Sequence, residues 1–98
     1  MIDLRPDHLE LVRDILRRHL PGREVWVFGS RAASGAKPYA DLDLAILGEE
    51  PLAPVLLETL DEAFDESDLP FRVDLLDWAR TEPGFRAVVE ARHAVLRL

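Results

Sequence analysis

The sequence contains no cysteine, a single methionine, no long apolar run and few positive charges. The lack of cysteine excludes disulfides and thiolate metal sites, and it favours the reducing cytoplasm as the location. No run reaches the roughly 18 apolar residues that a membrane-spanning helix needs. The 12 lysines and arginines stand against 19 acidic residues, for a net charge of −7. Because nucleic-acid backbones bind positive surfaces, we expect contact with neither membrane nor nucleic acid.

The remaining composition is that of an ordinary globular domain. Hydrophobic residues make up 48% of the 98 residues and charged residues 32%. A chain of this length has enough apolar side chains for one modest core. We therefore expect a single domain over residues 1–98.

Apolar spacing and turn residues predict alternating helices and strands along the chain. Pro21-Gly22 is expected to end the first helix, and Val55, Leu56, Leu60 and Phe64 are expected to share one helix face. The order of elements predicts an α/β (α+β) fold, with helices packed on a small mixed sheet of about four strands. The predicted helices are 6–19, 30–34, 52–65 and, after a cap at Thr81, 82–92. The predicted strands are 24–28, 41–47, 71–76 and 94–98.

Two aspartates, Asp41 and Asp43, lie within an aliphatic segment that is predicted to be a strand. Because side chains alternate along a strand, both carboxylates point to one face. Their mutual repulsion is relieved if a cation lies between them, and Mg²⁺ prefers carboxylate oxygens. The alternative is that both simply contact water at the start of a strand.

The turn that precedes these aspartates has features of a phosphate site. Gly29 lets the backbone approach a ligand closely, Ser30 offers a hydroxyl, and the predicted helix after them presents free N–H groups. Arg31 is a candidate for a charge-assisted contact with phosphate, although an arginine in such a turn is more often exposed to solvent. The spacing of Gly29, Gly35 and Lys37 is not that of a Walker A loop.

A third carboxylate lies in the next predicted strand. If that strand neighbours 41–47, Asp74 can point to the same face as Asp41 and Asp43. Asp77 is the competing candidate, although its position indicates a strand end or a helix cap. Three carboxylates facing a Gly-Ser turn form an arrangement suited to phosphoryl transfer with two metal ions.

The motif that runs from Gly29-Ser30 through Asp41-Leu42-Asp43, followed by a later strand aspartate, resembles the DNA polymerase β-like nucleotidyltransferase superfamily. More closely, the segments GSRA and PYADLDLAI are similar to the bacterial minimal nucleotidyltransferases, the MNT type. The resemblance extends from about Glu24 to Leu76. Two departures are Ala40, where the family often has Ser, and Gly35, which comes one place later than usual.

The resemblance implies a role for each candidate residue. Gly29 and Ser30 would hold the triphosphate of a nucleotide, with Arg31 as a further contact. Asp41 and Asp43 would bind two Mg²⁺ ions. Asp74 would help to bind one ion and would act as general base toward an acceptor hydroxyl.

The resemblance also implies a partner and a biological setting. Members of this group commonly pair with a HEPN-domain toxin, act as its antitoxin, and in some systems transfer AMP from ATP to a tyrosine of the toxin. The short chain leaves little room for an acceptor-binding region, so a partner chain or a second copy is expected to supply the acceptor. The alternatives are an antitoxin that acts by binding alone and a transferase that modifies a small molecule.

Overall fold

The computed structural model describes residues 2–20 and 22–98. It contains three α-helices, four strands and two short 3₁₀ turns. The elements in chain order are α1 (Pro6–His19), β1 (Val25–Phe28), a 3₁₀ turn (Gly29–Ala32), β2 (Leu42–Ile46), α2 (Pro54–Asp65), β3 (Val73–Asp77), a 3₁₀ turn (Trp78–Arg80), α3 (Pro83–Ala91) and β4 (His93–Leu96).

Each α-helix begins at a proline, namely Pro6, Pro54 or Pro83. Proline suits this position because the first N–H groups of a helix have no partner inside the helix. The helix α1 has the predicted bounds. Pro21 and Gly22 were predicted to end this helix. Pro21 lies outside the described residues, and Gly22 has a φ of 80°.

The helix α2 differs in two ways from the prediction. It begins at Pro54 rather than at residue 52, because the residue before a proline is driven to extended backbone and Ala53 has a φ of −62° and a ψ of 137°. Val55 was predicted on the buried face but is 72% exposed. Leu56, Leu60 and Phe64 follow one another at four-residue spacing and face the core, whereas Val55 lies about 100° away around the helix.

The four strands form one sheet in the order β3-β2-β1-β4. The pair β2–β3 is parallel, and the pairs β1–β2 and β1–β4 are antiparallel. The parallel pair follows from α2, which carries the chain back across the sheet between these strands. The predicted mixed sheet of four strands is thus confirmed, with strand ends that differ from the predicted ones by one or two residues.

Helices cover both faces of the sheet. On the first face, α1 and α2 pack against alternate strand residues and form the larger core. On the second face, Ala45 and Trp78 pack with Val89 of α3 in a smaller core. No helix in the described part of the chain is both long and apolar enough to cross a membrane. Fully buried side chains of the larger core include Val12, Leu16, Val25, Val27, Leu42, Leu44, Ile46 and Leu60.

Candidate active site

The parallel pairing of β2 and β3 brings two of the predicted carboxylates together. Asp43 and Asp74 are register partners on these neighbouring strands. Leu42 and Leu44, which flank Asp43, are buried in the larger core, so Asp43 points to the second face of the sheet. Asp41 immediately precedes β2 and is exposed. The structure therefore places all three carboxylates at one region of the second face.

The electrostatics of this cluster are unfavourable without a cation. Partial burial raises the pKa of Asp43 above its ordinary value of 3.8, and the nearby charges of Asp74 and Asp41 raise that pKa further. The guanidinium of Arg72 lies 3.1 Å from the Asp74 carboxylate. Since the Arg72 side chain is 74% exposed and the Asp74 side chain 42% exposed, the pair compensates little of the repulsion.

Gly29 brings the Gly-Ser turn directly against this cluster. Its φ is 70°, and a Cβ at this position would collide with the Asp43 carboxylate. The predicted helix over 30–34 is instead a single 3₁₀ turn, Gly29–Ala32. A turn of four residues has almost no macrodipole, so individual N–H groups and the Ser30 hydroxyl are the donors that this turn offers to a phosphate. Both Gly29 and Ser30 are exposed to solvent.

The Arg31 side chain is buried and is bonded to the backbone just before Asp41. Its side chain is 6% exposed, and its guanidinium packs 4.3 Å from the centre of the Phe71 ring. The guanidinium donates hydrogen bonds of 2.8–2.9 Å to the carbonyl oxygens of Asp3, Pro38 and Ala40. The geometry revises the expected phosphate contact, because Arg31 holds backbone segments together rather than facing the Gly-Ser turn.

The competing candidate Asp77 also has a structural position. Its side chain is buried on the side of the sheet opposite to Asp74. One of its carboxylate oxygens accepts a 3.0 Å hydrogen bond from the Leu52 N–H and lies 3.5 Å from the Arg80 guanidinium. Asp77 therefore anchors the segment before α2, and Asp74 is the third carboxylate near Asp41 and Asp43.

The carboxylate cluster suits a metal ion that is only partly held by protein. Within residues 2–20 and 22–98, no three acidic or histidine side chains converge closely enough to enclose a metal ion. Mg²⁺ commonly takes one or two carboxylates and completes its shell with water and substrate phosphates. Asp41, Asp43 and Asp74, with their unrelieved repulsion, match that kind of donor set.

A cavity of about 320 Å³ adjoins the Gly-Ser turn and was not predicted from the sequence. The only sequence signal was the pair of apolar residues Phe85 and Val88, which share one face of α3 and remain 44% and 62% exposed. A larger cavity of about 690 Å³ lies near the end of α1 and contains none of the three carboxylates. The smaller cavity is lined by Phe28, Gly29, Ser30, Phe85, Val88, Val89 and Arg92.

Comparison with known proteins identifies the family. A nucleotidyltransferase domain model matches residues 9–96. The chain is 48% identical over 96 residues to the probable protein adenylyltransferase MntA of Haemophilus influenzae. The aligned region covers 98% of this chain and 84% of that relative.

Solved structures of related fold include two toxin–antitoxin complexes. One, with AMP-PNP, has a TM-score of 0.75 and 22% identity over 91% of this chain and 72% of the other. The second is a tri-AMPylated HEPN toxin of Shewanella oneidensis in complex with its MNT antitoxin, with a TM-score of 0.66 and 21% identity over 96% of this chain and 72% of the other. At these identities the two structures establish the fold. With the family model across most of its length and a relative at 48% identity, the chain belongs to the nucleotidyltransferase family and is a homologue of MntA.

Proposed function

We propose that this chain transfers AMP from ATP, with Mg²⁺, to a tyrosine hydroxyl of a HEPN-domain toxin and so acts as its antitoxin. The observation that carries the proposal is the placement of Asp43 opposite Asp74, with Gly29 against Asp43. Support also comes from the protein adenylyltransferase activity in the name of MntA and from the AMP-PNP and the AMPylated toxin in the two complexes.

Each residue of the cluster has a specific task in this proposal. The Ser30 hydroxyl and the adjacent N–H groups hold phosphate oxygens, and Asp41 and Asp43 hold the metal ions. When bound, Mg²⁺ neutralises charge that builds up on the phosphates. Asp74 accepts the proton of the tyrosine hydroxyl. The tyrosine oxygen bonds to the α-phosphorus, and the bond from that phosphorus to pyrophosphate breaks. The Asp74 side chain is 42% exposed, so an acceptor from another chain can reach it.

The acceptor in this proposal comes from a partner chain. The described residues form the sheet, its covering helices and short connections, and the carboxylate cluster lies open at the second face. The toxin would present its tyrosine there. A cytoplasmic location and association with a second copy of the chain remain predictions from the sequence.

Co-expression followed by mass spectrometry of the neighbouring gene product tests the proposal. With the wild-type chain, we expect a tyrosine of the partner to gain about 329 Da, the mass of one AMP group less water. With the double variant Asp41→Asn/Asp43→Asn, we expect no such gain.

The matched control is Glu49→Gln/Glu50→Gln, which neutralises two exposed carboxylates beyond the other end of β2. This control should modify the partner as the wild type does. If the partner is unmodified by the wild type but co-purifies equally with both double variants, the chain acts by binding alone and the transferase proposal is wrong. A gain of mass on a small molecule instead of the partner would also contradict it.

A further inference from the structure

The proposed nucleotide site has no cation from the Gly-Ser turn itself. A triphosphate carries several negative charges, and phosphate sites commonly include an arginine. Arg31, the nearest arginine in sequence, donates to three backbone carbonyl oxygens and is 6% exposed. Beside the Mg²⁺ of the proposed function, a side-chain cation that contacts phosphate would therefore come from another element.

Arg92, at the end of α3, is placed to supply that charge. It lines the 320 Å³ cavity together with Gly29 and Ser30. Its side chain is exposed, and within residues 2–20 and 22–98 it makes no ion pair and no hydrogen bond. A guanidinium without a competing carboxylate keeps its donors available to a phosphate oxygen.

The rest of the cavity wall is apolar and aromatic. Phe28 and Phe85 meet edge to face with ring centres 6.0 Å apart. Phe85 is 44% exposed and Val88 is 62% exposed, although the neighbouring Val89 is buried in the core. Exposed aromatic and aliphatic side chains beside a polar turn are typical of a site that takes a flat apolar ring at one end and charge at the other.

We infer that this cavity receives the nucleoside of the bound nucleotide, with its base against Phe85 and Val88 and with Arg92 on a phosphate oxygen. The inference rests on the proposed function, because it assigns the base and phosphate contacts of the same nucleotide. A volume of about 320 Å³ is at the lower end of the range for small-molecule sites. This is adequate for a nucleoside whose phosphates extend past Ser30 toward Asp43.

Equilibrium binding of AMP-PNP and of inorganic tripolyphosphate to the full chain in Mg²⁺ tests the inference. We expect Arg92→Ala to weaken both ligands about 10-fold, as for the loss of a charge-assisted hydrogen bond. We expect Phe85→Ala to weaken AMP-PNP roughly 5-fold and to leave tripolyphosphate unchanged, because only the nucleotide has a base.

Two control variants match these changes at positions away from the cavity. Arg97→Ala removes the same charge just beyond the opposite end of β4, and Val55→Ala trims an exposed apolar side chain on α2. Both should bind the two ligands as the wild type does. Circular dichroism of all four variants shows whether each retains the fold.

The inference is overturned if Arg92→Ala and Phe85→Ala bind AMP-PNP as tightly as their controls, or if the wild type does not bind it. It is also overturned if these variants lose only co-purification with the toxin, since the cavity would then contact the partner. Mass spectrometry of the toxin keeps the two proposals separate. AMP transfer by an Arg92→Ala chain with unchanged AMP-PNP affinity removes this inference and leaves the proposed function standing.

Discussion

At Gly29, a single hydrogen in place of a side chain decides how close the backbone comes to Asp43. The φ of 70° is a conformation that side chains with a Cβ rarely adopt, and the carboxylate occupies the position a Cβ would need. The atom in the way is the end of the Asp43 side chain, which can rotate aside. A substitution here should therefore harm the carboxylate geometry more than the fold.

For Gly29→Ala we expect a loss of about 1–2 kcal/mol in the free energy of unfolding, from the left-handed backbone. We expect a drop in AMP transfer of about 100-fold, because the Asp43 carboxylate, a proposed metal ligand, is displaced. Gly84→Ala is the matched control, since no atom lies within 4 Å of a Cβ there. It should leave transfer unchanged and stabilise α3 by up to about 1 kcal/mol. Urea unfolding measures the free energy of unfolding, and a transfer assay measures the rate of AMP transfer. Equal transfer by Gly29→Ala and Gly84→Ala would contradict this account.

At the scale of elements, the pair β2–β3 forms the centre of the candidate site. Parallel register places Asp43 beside Asp74, and α2 is the connection that makes parallel pairing feasible. The same register turns Asp77 to the opposite face, where it holds the Leu52 N–H ahead of α2. Two aspartates three residues apart on one strand therefore have different surroundings, because successive side chains point to opposite faces of the sheet.

Asp43→Asn should stabilise the metal-free chain at pH 7, because it removes a carboxylate that burial and the charges of Asp74 and Asp41 disfavour. With a pKa raised above 3.8, Asp43 binds its proton more tightly in the folded state, so stability falls as pH rises through and just above 3.8. The gain at pH 7 should be below about 1 kcal/mol, since water screens this half-exposed group, and it should vanish at lower pH.

Denaturant unfolding in EDTA, at neutral pH and again near the ordinary aspartate pKa, measures this difference. Asp68→Asn makes the same chemical change at an exposed position off the sheet and should have no effect. Added Mg²⁺ should stabilise the wild type more than Asp43→Asn, as a ligand that binds only the folded site does. Destabilisation by Asp43→Asn at neutral pH would show that the carboxylates do not repel one another.

Across the whole molecule, Arg31 connects parts of the chain that are far apart in sequence. Its guanidinium joins Asp3, before α1, to Pro38 and Ala40, before β2, and it packs on Phe71 ahead of β3. The loop over 33–41 is held by these bonds and by the Ala36 N–H, which donates to the Asp3 carboxylate. This network fastens the loop to the segment before α1.

We expect Arg31→Lys to lower the free energy of unfolding by about 2–4 kcal/mol, because an ammonium cannot reproduce the three-carbonyl fork and leaves buried acceptors without donors. The AMP-PNP affinity of the folded fraction should stay unchanged. Arg97→Lys makes the same change at an exposed arginine and should alter neither quantity. Thermal unfolding measures the stability of these variants, and titration with AMP-PNP measures their nucleotide affinity. A loss of AMP-PNP affinity with full stability would return Arg31 to the phosphate site.

The predictions that succeeded rest on local patterns. Period-two alternation in 41–47 correctly indicated that Leu42 and Leu44 are buried and that Asp43 points away from them. Helix α1 was predicted with its bounds because proline and the apolar stripe act within a few turns. Two predictions were wrong, the helix over 30–34 and the burial of Val55. The small residues after Gly29 do not decide between an α-helix and a 3₁₀ turn. The apolar pattern of an amphipathic helix does not fix where its buried face ends.

By itself, the sequence determined the elements, the face on which Asp41 and Asp43 lie, and, through the Gly29-Ser30 motif, the nucleotidyltransferase family. Only the tertiary structure decided that Asp74 rather than Asp77 joins them and that Arg31 is buried under Phe71. It also decided that α3 closes a cavity against the Gly-Ser turn, with Arg92 at its edge. Local patterns act over a few residues, whereas strand register, helix placement and the partners of an arginine depend on segments tens of residues apart.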